Sequence, residues 1–176
     1  MGRLLFFLVL IVFSMQFGYA QEQDKQFPKD YVGIYKGDLK IHSARGIETV
    51  GMEFHLEALD VDGNYAYQIV YIQDGKRQER RYNLITINAK TGEYLIDENN
   101  GILLNATFMG GSLHSMFEVQ GTYLTTTETF FDDAMEFKIT VSRASDVSKS
   151  ETEGDQSITV LSYPVSSVHK ARLVKQ

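Results

Sequence analysis

The chain has no cysteine, no tryptophan and only two prolines. Without cysteine there are no disulfides, no thiolate metal sites, no cysteine nucleophile and no lipidated N-terminal Cys, so the fold must stand on its own core. Helical periodicity is also missing over any convincing window. There is no low-complexity tract, and no repeat longer than a hairpin that would write a solenoid or propeller. Positive charge is short as well, with 17 Lys and Arg against 23 Asp and Glu and a net charge of −6. That balance argues against nucleic acid or an anionic membrane as partner. The catalytic inventory is equally thin. Gly110-Gly111-Ser112 reads as a turn rather than a nucleophile elbow. Acid pairs such as Asp132-Asp133 and Asp60/Asp62 fall at turns, where carboxylates cap backbone N–H groups.

What is present begins with a leader. Arg3 precedes the apolar run Leu4 to Phe13, and Gly18 and Ala20 supply a small-x-small exit. These features predict a secretory signal peptide over residues 1–20, cleaved so that Gln21 leads the mature chain. The run is short for a spanning helix, so no stable membrane anchor is expected after cleavage. The expected setting is the periplasm or the exterior. Residues 21–30 (QEQDKQFPKD) read as a polar lead-in, and residues 31–176 as one domain.

That domain is written in strands. From Asn99 to Val141, four runs rich in β-branched and aromatic residues are parted by Gly-Gly, Gln-Gly and Asp-Asp-Ala, as in an antiparallel meander. Glu48 to Leu59 alternates, with Val50, Met52, Phe54 and Leu56 on one face and Glu53, His55 and Glu57 on the other. His55 and His114 share parity with acids and are expected to face solvent. Asp62-Gly63-Asn64 and Asp74-Gly75 are hairpin signals. Residues 144–156 (ASDVSKSETEGDQ) read as a solvated loop, and one further extended segment, interrupted at Pro164, closes the chain. The sum is about ten strands, all antiparallel. A flat sheet of that kind leaves two open edges, and closure removes both. A single up-and-down β-barrel is therefore expected, ahead of a β-sandwich.

The stretch Phe27-Pro28-Lys29-Asp30-Tyr31-Val32-Gly33-Ile34-Tyr35 resembles the opening of lipocalins and related calycins, with Tyr35 where that family usually has Trp. The resemblance implies that an Arg near the chain end, Arg172, packs across Tyr35 and closes one end of the barrel. The strand count and the lack of a C-terminal helix point to ten-stranded relatives, the fatty-acid-binding and nitrobindin-like barrels. In the latter a His near the chain end holds haem, and His169-Lys170-Ala171-Arg172-Leu173 is similar, which makes His169 the candidate haem ligand. No other cofactor and no metal site is expected.

A barrel of this size can hold one small ligand. Met52, Phe54, Tyr65, Tyr67, Tyr71, Phe108 and Phe117 are the candidates to line such a cavity. In the basic cluster Lys76 to Arg81, Arg80 and Arg81 point to opposite faces, and Arg80 is the candidate to orient a polar head. The reading is binding of a small apolar or amphipathic molecule without chemistry. Its competitors are a filled barrel that meets a protein partner through its surface, and a haem barrel using His169.

Overall fold

The computed structural model describes residues 25–153 and 157–176. The predicted leader lies outside the described residues. Ten antiparallel strands form the barrel: β1 (Gly33–Ser43), β2 (Gly46–Ala58), β3 (Asn64–Gln73), β4 (Lys76–Asn88), β5 (Glu93–Asp97), β6 (Leu103–Met109), β7 (Ser112–Val119), β8 (Thr122–Phe130), β9 (Ala134–Arg143) and β12 (Val165–Lys175). Each pairs with its neighbour in sequence, and β12 closes the circle by pairing with both β9 and β1. The sheet has no free edge, which is the solution the alternating pattern demanded.

Local chemistry sets the corners. Asp74-Gly75 and Gln120-Gly121 both hold positive φ at each residue, 51° and 73° in the first pair, 49° and 75° in the second. Two consecutive residues in the left-handed region make the turn whose twist matches that of the flanking strands. Between β9 and β12 the chain leaves the barrel. There β10 (Ser148–Glu151) and β11 (Thr159–Ser162) form an exposed two-stranded ribbon. Part of the expected 144–156 loop is thus β-structure, although every residue of it that belongs to the ribbon is exposed, as its polarity required. Pro164 separates β11 from β12, because a proline has no N–H to give to a ladder.

The two ends of the barrel differ. At one end the lead-in turns back as a short 3-10 segment, Lys29–Tyr31, and drives Phe27 into the interior. The Phe27 ring stacks on Phe108 at 4.2 Å and meets Tyr94 edge-on at 5.2 Å. The Tyr94 hydroxyl donates to the Phe27 carbonyl (3.0 Å). Phe130, Tyr35 and Phe54 continue the aromatic packing inward. The lead-in is thus a plug.

One closure expected from the family resemblance is not made. On β12 the inward residues are Ala171 and Leu173, so Arg172 points outward, pairs with Glu136 (3.1 Å) and lies over the Phe131 ring. The Tyr35 ring instead receives the ammonium of Lys175, 5.7 Å from its centroid and two residues beyond Leu173 on the same face. Gly33 makes room for it, since a Cβ there would stand 2.5 Å from the Lys175 Cε. The Tyr35 hydroxyl donates to the Tyr31 carbonyl (2.6 Å), and burial pushes its pKa up to about 12.

Candidate functional site

At the other end the interior is not filled. A cavity of about 450 Å³ opens between the β1–β2, β3–β4, β5–β6 and β7–β8 turns, within the range of ~300–1,000 Å³ usual for small-molecule sites. Apolar side chains make most of its wall: Leu39, Val50, Ile69, Ile96, Leu104 and Ile139 are among them. They come from strands all around the barrel, which is what period-two alternation on a closed sheet produces.

The polar groups are few and lie at two levels. Near the mouth stand Glu48, held by the Gln73 side-chain amide (2.9 Å), and Glu98, which accepts from Asn100 (3.2 Å). Arg80 and His169 line the same upper region. Among the described residues no acid pairs with Arg80. The His169 ring meets the Ser167 hydroxyl at 3.2 Å, and burial lowers its pKa, so the imidazole is neutral near pH 7.

Deep in the cavity is Glu128. It sits on β8 in phase with Leu124, Thr126 and Phe130, so its side chain must point inward, and it is 0 % exposed. Both carboxyl oxygens lack a hydrogen-bond partner. The Tyr67 and Thr126 hydroxyls adjoin the group without completing a bond of ordinary geometry. Burial raises the Glu128 pKa to about 8, so the acid is mostly neutral at pH 7. Tyr67, Tyr71 and Tyr82 face the same space, with Tyr67 and Tyr82 rings 6.4 Å apart and inclined at 27°. Burial, and then the neighbouring Glu128 charge, push the Tyr67 pKa well up.

Of the residues singled out by sequence, Tyr67, Tyr71, Phe117, Arg80 and His169 line the cavity. Met52, Phe54, Tyr65 and Phe108 do not. They point inward, but their levels on β2, β3 and β6 belong to the plugged end: Phe108 lies under Phe27, Phe54 packs edge-on against Tyr67 at 4.9 Å, Met52 is fully buried beside it, and Tyr65 packs on the same core. Parity selects the face of a strand and says nothing about the level along the barrel.

The basic cluster divides in the same way. Arg80 turns to the mouth, while Arg81 is outside on Glu79 and Arg77 is outside on Glu53 (3.1 and 2.8 Å). Glu53 also meets His55 (2.9 Å) and Lys36 (3.3 Å). The Arg77 guanidinium, with His55 and Lys36, holds the Glu53 carboxyl down to about 2. This outer cluster clips β1, β2 and β4 together across β3.

Sequence reading missed Glu128 and Tyr82. The signal existed for Glu128: in Thr122–Phe130 (TYLTTTETF) it is the one acid on the parity of Leu124 and Phe130.

No protein-family model matches the chain, and no curated protein matches it. Among solved structures, the S-type phycobiliprotein lyase of Guillardia theta is similar, with a TM-score of 0.56 over 84% of this chain and 89% of that one. Identity is 10%, so the likeness is one of fold. The fold is that of a calycin-like barrel. The plug at Phe27 and the closing cation at Lys175 are how this chain builds it.

His169 is the one imidazole in the cavity lining: its Nε2 meets the Ser167 hydroxyl at 3.2 Å, and Glu48, Glu98 and the guanidinium of Arg80 share that lining.

Proposed function

We propose that this protein binds one small amphipathic molecule in the open half of the barrel and holds it without chemistry. The observation that carries the reading is the unfilled cavity itself, some 450 Å³ of space on a sheet whose other end is packed solid. Protein interiors close-pack unless something else is to occupy the space. The apolar wall would take the body of the ligand, and Arg80, Gln73 and Gln78 at the mouth its outer polar end. That division of labour is usual for small-molecule pockets. The open half also favours this reading over a filled barrel that acts through its surface alone.

The setting we propose lies outside the cytoplasm, on the leader in residues 1–20 alone. N-terminal sequencing of protein recovered from the host envelope or medium should begin at Gln21, and an intact Met1 would contradict export by cleavage. The binding reading is tested by native mass spectrometry of protein from its own host, with a visible absorbance scan. A dissociable small-molecule adduct supports it, and a Soret band would favour the haem reading through His169 instead. A bare protein mass with no uptake from a panel of amphipathic compounds would overturn it.

A further inference from the structure

An amphipathic ligand could meet the deep end of the cavity with a plain hydrocarbon, and the wall there would suit it but for one residue. Glu128 is fully buried, has no hydrogen-bond partner at either oxygen, and points into the empty space. In phase with it on β8, Phe130 stands at one adjacent level and Thr126 at the other, with Leu124 beyond Thr126, so an apolar side chain serves directly beside the carboxyl on one side. A carboxyl left bare in such a place is costly unless a partner arrives.

Resting on the reading of this cavity as a ligand site, we propose that the inner end of the ligand is a protonated amine, with Glu128 as its counter-ion and Tyr67, Tyr71 and Tyr82 as its aromatic wall. Three observations support an ammonium over other donors. The titratable groups lining the cavity are the acids Glu48, Glu98 and Glu128 against the single guanidinium of Arg80 and the neutral His169, so that even with Glu128 protonated two acids stand against one cation. Tyrosine faces attract ammonium, and three stand in one group beside the carboxyl. Neither carboxyl oxygen has a hydrogen-bond partner of ordinary geometry, so once ionised the group can accept from the several N–H donors of an ammonium alongside the adjoining Tyr67 and Thr126 hydroxyls.

The proton balance is definite. In the empty cavity Glu128 is mostly a neutral acid at pH 7. An ammonium entering beside it favours the carboxylate, so the carboxyl proton leaves to the buffer as the amine binds.

The test is calorimetric titration with three probes of one chain length, octylamine, octanol and octanoate, in buffers of different ionisation heat at pH 7. Octylamine should bind about tenfold or more tighter than octanol, the gain expected of a charge-assisted pair in a dry site, with octanoate weakest. Close to one proton should be released per amine bound, and none with octanol. Glu128→Gln should bring octylamine to the level of octanol in the same variant and abolish proton release. Should Glu128→Gln fail to fold, the octylamine-to-octanol affinity ratio and the proton count of the wild type still decide the matter. Octanol binding as tightly as octylamine, or amine binding without proton release, would overturn the amine proposal and leave the cavity reading standing. Binding of none of the three would overturn both.

Discussion

The closed and open ends of this barrel are made from the same ten strands and the same alternation, yet one is a solid aromatic core and the other a cavity. The difference comes from what crosses the axis. At the closed end, the chain leading into β1 folds back and inserts Phe27 between Tyr94, Phe108 and Phe130. At the open end the β1–β2, β3–β4, β5–β6 and β7–β8 turns and the β9–β12 connection insert no such ring, and of their described residues only Glu98 lines the cavity. Rings pointing inward therefore do opposite work at the two levels. Phe54 and Phe108 fill, whereas Tyr67 and Tyr71 border a space. One end supplies stability, which frees the other from having to.

The largest expected effect would test that division directly. Phe54→Ala removes a fully buried ring from the plugged end and should cost about 3–5 kcal/mol in denaturant unfolding. Phe117→Ala, at the wall of the open cavity, should cost about 1 kcal/mol or less, since its ring has space on one side already. Equal costs would break the comparison.

Next in size is the pH dependence set by Glu128. Its pKa in the folded chain is raised to about 8 from 4.5, so the folded state holds a proton that the unfolded state has lost across that window. Stability should accordingly fall as pH rises from about 5 to 8, by at most ~1.4 kcal/mol per unit. Glu128→Leu should remove that slope and be more stable than wild type at pH 8, as read by thermal unfolding at several pH values. A slope unchanged in Glu128→Leu would show that the carboxyl is hydrated or paired.

The smallest effect separates the two cations near the chain end. Arg172→Ala loses an exposed ion pair to Glu136 and should change stability by under about 0.5 kcal/mol. Lys175→Ala uncovers the Tyr35 ring at the closed end and should cost more, about 1 kcal/mol. The reverse order would restore Arg172 as the closing residue.

Much of the fold was legible because its signals are local. The Asp74-Gly75 turn, the alternation of Val50, Met52, Phe54 and Leu56, and the even spacing of the later runs each specify a hairpin or a face without reference to the rest. Closure followed from the need to remove edges. The site was legible only by halves. Tyr67, Tyr71, Phe117 and Arg80 were placed by parity, but parity alone could not tell Phe117, at the cavity, from Phe108, beneath the plug. That distinction depends on where Phe27 goes, and a lead-in written mostly in polar residues did not announce it. Arg172 failed for a related reason: being near the chain end mattered less than phase, and Lys175 had the right phase. Glu128 lies in no turn and no charge run, and only its place among Leu124, Thr126 and Phe130 marks it in the sequence.

The central claim is that the open half of the barrel is a site for one small molecule. Equilibrium titration with an apolar fluorescent probe tests it most directly, on wild type and on Leu124→Trp, which puts a bulky indole into the cavity, with matching far-UV spectra as the check on folding. The account predicts saturable uptake of one probe per chain in wild type and an affinity about tenfold weaker in Leu124→Trp, as crowding of the pocket requires. Absence of saturable uptake in wild type, or uptake untouched by the substitution, would contradict it.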